Sequence, residues 1–260
     1  MAIALVTGAG KRLGRAMALY LAGRGFDVGV HYGSSSDAAE EVVGKIRALG
    51  RRAATLQADL LDEAQVSALL PACCDALGGP VTCLVNNASI FEDDRIDTAT
   101  RSSWDRHLES NLRAPVVLTQ AMAAQIPDPK LDENGEPLAQ GLIVNMVDQR
   151  VRKLTPEHMS YTIAKMGLWA FTQTAAQGLA PRIRVNAIGP GPTLQGAQQA
   201  DDDYAKERSA TVLGRGANLS DITAALGYFI DSPSVTGQLL CIDGGQHLGW
   251  KTPDIVGIER

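Results

Sequence analysis

The chain has few of the features that would mark it for a membrane, a metal or an oxidising compartment. No apolar run approaches the roughly 18 residues needed to cross a bilayer, so no membrane partner is expected. Its four cysteines, Cys73, Cys74, Cys83 and Cys241, show neither C-x-x-C spacing nor a paired framework. They read as thiols in a reducing compartment, not as disulfides or zinc ligands. The four histidines, His31, His107, His158 and His247, form no metal-type spacing, and no metal site is expected. Basic residues are outnumbered, and a net charge of -5 argues against nucleic acid or an anionic membrane as a partner. The opening residues run from Ile3 straight into a glycine turn with no basic leader, so a secretory signal is not expected and a cytoplasmic location is.

What the chain does contain is alternation. With 260 residues, 45% of them hydrophobic, it is long enough for one large α/β domain. Short apolar runs bounded by polar residues or glycine predict strands at 3–7, 27–32, 52–57, 81–86, 142–147, 183–188 and 238–242. Helical patterns lie between them, at about 12–24, 36–49, 62–76, 101–125, 156–179 and 220–231. Strict β/α alternation predicts a single doubly wound, Rossmann-type domain over 1–260, with about seven parallel strands and helices on both faces. Residues 127–137, polar and rich in proline, read as an exposed excursion. The stretch 193–218 reads as a flexible flap over a site, and 246–260 as a tail that packs across a subunit boundary or frays.

Two patterns carry chemistry. After the first strand, Thr7-Gly8-Ala9-Gly10-Lys11-Arg12-Leu13-Gly14 opens the first helix. Gly8 permits a tight turn, Gly14 lets helix and strand approach, and the free N–H groups of a helix N-terminus suit a pyrophosphate. The second strand ends His31-Tyr32-Gly33-Ser34-Ser35-Ser36, without the carboxylate that would accept from an NAD ribose. Hydroxyls there, with Lys11 and Arg12 nearby, favour a 2′-phosphate and hence NADPH over NADH. The second pattern is Asp148 followed by Tyr161 and Lys165, the last two one turn apart on a helix. A phenol beside an ammonium is a poised proton donor. Many oxidoreductases oppose such a pair with a serine hydroxyl. A carboxyl group here points to protonation of a nitrogen heterocycle.

Taken in order, Thr7–Gly14, Ala58-Asp59-Leu60, Asn86-Asn87-Ala88, Asn111, Tyr161/Lys165 and Asn186–Gly191 resemble the short-chain dehydrogenase/reductase family over nearly the whole chain. Within it the chain resembles the pteridine reductases, including dihydromonapterin reductases. Lys11-Arg12, His31-Tyr32, Asn87-Ala88-Ser89-Ile90-Phe91 and Asn145-Met146-Val147-Asp148 carry that likeness. The resemblance implies that Gly8, Lys11, Arg12, Leu13, Gly14, His31, Tyr32 and Ser34 bind NADPH. Asp59 and Leu60 would meet its adenine, Asn87, Ala88 and Ser89 its ribose side, and Pro190, Gly191 and Thr193 its nicotinamide end. Lys165 would bind the nicotinamide ribose and lower the cost of ionising Tyr161. Asn111 would kink its helix and support a water chain to the lysine. Phe91 would stack on a pterin-like substrate, with Arg12 and Ser89 at the polar edge and Tyr161 with Asp148 supplying the proton. The helices at 101–125 and 156–179 imply a homotetramer. Ser34, where protozoan pteridine reductases carry a basic residue, departs from the pattern. Two other readings stay open: a carbonyl reductase for a 3-oxoacyl thioester or a sugar, and a cofactor-binding sensor without turnover.

Overall fold

The computed structural model describes residues 2–196, 200–252 and 255–256. The expected flap and tail therefore fall partly outside the described residues, at 197–199, 253–254 and 257–260. Seven parallel strands form one sheet: β1 (Ile3–Val6), β2 (Asp27–Tyr32), β3 (Ala53–Gln57), β4 (Val81–Asn86), β7 (Gly141–Met146), β8 (Ile183–Pro190) and β9 (Leu239–Ile242). Their order is β3-β2-β1-β4-β7-β8-β9, so the direction of winding reverses between β1 and β4. In an open parallel sheet that reversal leaves a crevice at the carboxyl ends of the strands.

The reason these segments are strands can be read residue by residue. Along β1, Ala4 and Val6 bury into one apolar core while Ile3 and Leu5 bury into another. The two-residue period sends successive side chains to opposite faces, and both faces are covered. Helices α1 (Arg12–Gly23), α2 (Ser36–Ala48) and α8 (Leu219–Asp231) close the first face. Helices α3 (Glu63–Leu77), α5 (Ala114–Gln125) and α6 (Met159–Leu179) close the second. Among the described residues no helix is long and apolar enough to cross a membrane.

Three segments differ from the sequence reading. The helix expected over 101–125 is broken into α4 (Arg101–Leu108), a π-helical turn at Glu109–Arg113, and α5. Such π-turns appear mostly as single-turn insertions in α-helices, often at functional sites; this one surrounds the buried Asn111. The exposed excursion holds a small antiparallel ribbon, β5 (Lys130–Leu131) with β6 (Pro137–Leu138), closed by a turn in which Asp132 accepts from the Asn134 and Glu136 amides. The flap contains a helix, α7 (Asp201–Ser209), unforeseen because its sequence is charged and lacks an apolar stripe. Arg208 anchors its base, donating to the carbonyls of Pro192 and Ala217, both at 2.7 Å.

Candidate active site

The glycine turn after β1 is built by close approach. Gly8 lies at φ +62°, and a Cβ on Gly14 would stand 2.2 Å from the Gly8 carbonyl, so only glycine fits. Thr7 and Asn87 clamp the turn to the loop after β4. The Thr7 hydroxyl accepts the amides of Asn87 and Ala88 at 2.9 Å each, and Asn87 Nδ2 donates to the Thr7 carbonyl at 2.8 Å. His31 fixes the other side: Gly8 N–H donates to its Nδ1 at 3.0 Å, so Nε2 carries the proton towards the Ala58 carbonyl at 3.1 Å. Burial lowers the His31 pKa, and the ring holds the turn without bringing a charge.

This architecture fits a dinucleotide. Lys11 at the N-cap of α1 makes no side-chain capping bond, and no acidic residue stands in the first turn. The first-turn amides and the dipole end are thereby left for an anion. A cavity of about 180 Å³ runs beside the turn, bordered by Gly8, His31, Asp59, Leu60, Ala88 and Ser89. Tyr32 and Ser34 follow at the end of β2, Ser34 exposed, while Leu13 is half-buried at the start of α1.

A second cavity, about 360 Å³, gathers Arg12, Phe91, Asp148, Pro190 and Gly191. The Tyr161 hydroxyl donates to Asp148 Oδ2 at 2.9 Å, and Asp148 Oδ1 accepts the Arg150 amide at 2.8 Å. Lys165, buried one turn along α6, donates from Nζ to the Met146 carbonyl at 2.7 Å. Phe91 presents its ring edge-on to Tyr161, centroids 4.7 Å apart, and stacks on His158 at 4.1 Å. Asn111 holds the loop that carries Ser89 and Phe91: it accepts from Ile90 N–H at 2.9 Å and donates to the Ile90 carbonyl at 2.8 Å. Thr193 is buried, its hydroxyl donating to the Gly191 carbonyl at 3.1 Å.

The acidities in this cluster are displaced. Burial raises Asp148 above the ordinary carboxylate value, against the hydrogen bonds it accepts. Burial, then the neighbouring Asp148, raises Tyr161 well above an ordinary phenol. Arg150 and Ser89 ease phenol ionisation, the part expected of Lys165, and desolvation outweighs them. Burial brings Lys165 down to about 8, with Asp148 opposing. The result is two oxygen acids that hold a proton more firmly than usual, bonded to one another.

Arg12 departs from expectation in what it touches. Its backbone takes φ +52°, a conformation glycine would adopt more easily. Its guanidinium borders the cavity but donates to the Leu194 and Gln195 carbonyls, at 3.0 and 2.8 Å, tying the glycine turn to the flap.

Several residues in the wall escaped sequence reasoning. Gln149 and Arg150 follow Asp148 directly, and His158 precedes Tyr161 by less than a turn, so adjacency was a usable signal. Glu207 and Gln246 also line the cavity but come from α7 and the segment beyond β9, with nothing local to announce them. Behind the site, His107 Nε2 accepts the Glu92 amide at 3.1 Å, so Nδ1 donates to Ser160 Oγ at 2.7 Å, and Ser160 in turn donates to buried Asp94. Asp94 also accepts the Ser160 amide at 3.0 Å, fixing the start of α6 against the loop after β4. Although burial opposes it, hydrogen bonding from Ser160 holds Asp94 below the ordinary carboxylate range. Among the described residues no cluster of His, Cys, Asp and Glu could hold a metal ion.

Comparison with known proteins agrees with this fold. The FolM alternative dihydrofolate reductase 1 from Brucella suis, solved in complex with NADP, superposes with a TM-score of 0.90 at 42% identity, covering 98% of each chain. A blue fluorescent protein from a metagenomic library, solved with NADPH, gives a TM-score of 0.85 at 31% identity over 94% of this chain and 97% of that one. The 3-oxoacyl-[acyl-carrier-protein] reductase FabG of Staphylococcus aureus is 30% identical over 250 residues, 94% of this chain and 98% of its own length. Residues 2–205 match the short chain dehydrogenase family, and the protein belongs to that family.

Proposed function

We propose that this NADP-dependent short-chain reductase reduces a C=N bond of a pterin-type heterocycle, taking a dihydropterin or dihydrofolate-like ring to its tetrahydro form. The observation that carries the reading is the Tyr161–Asp148 hydrogen bond of 2.9 Å beside the exposed ring of Phe91. The 42% identical Brucella suis protein, described as an alternative dihydrofolate reductase, supports it.

When bound, the cofactor supplies hydride. The turn at Gly8, Lys11, Arg12, Leu13 and Gly14 would hold its phosphates. His31, Tyr32 and Ser34 would stand near the 2′-phosphate, Asp59 and Leu60 at the adenine, and Asn87, Ala88 and Ser89 along the ribose side. Pro190, Gly191 and Thr193 would meet the nicotinamide end, and Lys165 its ribose. Phe91 would stack on the flat ring, an arrangement worth about 0.5–1.5 kcal/mol beyond area burial. Reduction at a ring carbon leaves a nitrogen that needs a proton. Tyr161 donates from Oη, and Asp148, itself a tight proton holder, orients and replenishes it. Asn111 serves indirectly by fixing the backbone at Ile90. The exposed Ile163 and Met166 on α6 support a tetramer built on the faces of α4–α6.

A carbonyl substrate is the second reading, favoured by the FabG relatives at 30% identity. It shares Tyr161 and Lys165 but gains nothing evident from a carboxyl group at 148. Steady-state NADPH consumption with a dihydropterin, dihydrofolate and a 3-oxoacyl thioester separates the two. Turnover of the thioester without either pteridine would refute the pterin reading.

A further inference from the structure

We propose that Arg150 recognises an anionic side chain on the substrate, so that the preferred pteridine carries a carboxylate tail, as dihydrofolate does, in place of a neutral polyol. This rests on the pterin reading of the site and names the substrate class within it.

Arg150 sits in the short 3-10 turn that follows Asp148, with its backbone committed to that carboxylate. Arg150 borders the substrate cavity, and its guanidinium lies over the Phe91 ring, 6.0 Å from its centre. Among the described residues one of its five N–H donors is used, from Nη1 to Thr155 Oγ1 at 2.8 Å. Among the described residues no carboxylate lies within ion-pair distance of it. Its counterparts nearby are spent: Arg12 on the carbonyls of Leu194 and Gln195, Arg95 on Glu157 and Arg106 on Glu92. A half-buried guanidinium with free donors at a cavity wall is matched by a planar carboxylate, which can accept two parallel hydrogen bonds.

The position decides which part of a substrate it can serve. The guanidinium lies over the Phe91 ring, while the nitrogen to be protonated must meet Tyr161. A cation pressed against that nitrogen would oppose its protonation, so the guanidinium is useful to a substituent that leaves the ring. Arg150 is where such a substituent gains.

The test compares dihydrofolate with 7,8-dihydromonapterin, whose side chain is a neutral polyol, at saturating NADPH. The selectivity, kcat/KM for dihydrofolate over that for dihydromonapterin, should fall about ten- to hundredfold in Arg150→Gln, the range of a hydrogen bond to a charged group. Arg150→Lys should recover part of it, since the charge returns without the fork. In the wild-type protein the dihydrofolate KM should rise with ionic strength more steeply than the dihydromonapterin KM, a readout that needs no variant. Equal losses on both substrates in Arg150→Gln, with equal salt dependence in the wild type, would overturn the assignment while leaving the pterin reading intact. If neither pteridine is turned over and a 3-oxoacyl thioester is, the pterin reading fails and this inference falls with it.

Discussion

Replacing Asp148 with asparagine isolates the charge of the carboxyl group from its shape. The amide oxygen can still accept the Arg150 N–H that Oδ1 accepts at 2.8 Å, while an NH2 group replaces the oxygen that receives the Tyr161 hydroxyl at 2.9 Å. What disappears is one buried hydrogen bond, charge-assisted when the carboxyl group is ionised, and a second proton holder when it is not. A hydrogen bond to a charged group is worth about 1.5–3 kcal/mol, so turnover of a dihydropterin should fall about 10- to 150-fold. The pH profile should change as well. In the wild type the couple delivers a proton while it holds one, so the rate falls as pH rises through the couple's own range, and the variant should lose the part of that limb set by the carboxyl group. Stability separates this from misfolding. The Asp148 pKa is raised above its ordinary 3.8, so the folded state holds the extra proton between 3.8 and the raised value. Stability therefore declines as pH rises through that window, and above it the charged carboxylate is a standing cost. The asparagine variant should melt at the same temperature as the wild type or higher at neutral pH. A variant that keeps more than half of the wild-type turnover with an unshifted profile would refute the proton role.

Tyr161→Phe should lower turnover by about 10²–10⁴, the usual effect of removing a positioned proton donor, while NADPH affinity by fluorescence titration stays close to wild type. Lys165 titrates at about 8 in the fold against an ordinary 10.5, so the unfolded chain binds more protons between those values and stability rises with pH across that interval. Denaturant titrations should show this rise in the wild type relative to Lys165→Met; the difference cancels the buried Cys73 and Cys83 thiols, both pushed up to about 12, which act in the opposite direction above their ordinary 9.0. Ser34→Asp should repel a 2′-phosphate and move the ratio of kcat/KM for NADPH over NADH towards NADH. An unchanged ratio would place the phosphate elsewhere.

The strands were legible from the sequence because burial on both faces leaves an unmistakable signature, short apolar runs cut off by polar residues. The seven expected runs match the seven strands of the sheet to within a few residues at each end. The glycine turn and the Asp148–Tyr161–Lys165 set were legible for a related reason: each needs particular residue types at a fixed local spacing, and spacing is written in the chain. Tertiary structure alone decided the rest. That Asp148 meets the Tyr161 hydroxyl and that both hold their protons tightly follow from desolvation, a property of everything packed around them. The lock between His107, Ser160 and Asp94 joins three elements with no common pattern in sequence. Helix α7 lacks an apolar stripe and is held by Arg208 reaching carbonyls on either side of it, so no periodicity could reveal it. Arg12 shows the division most sharply. Its place in the phosphate turn was readable, but its guanidinium went to carbonyls more than 180 residues away, because folding brought those acceptors within reach.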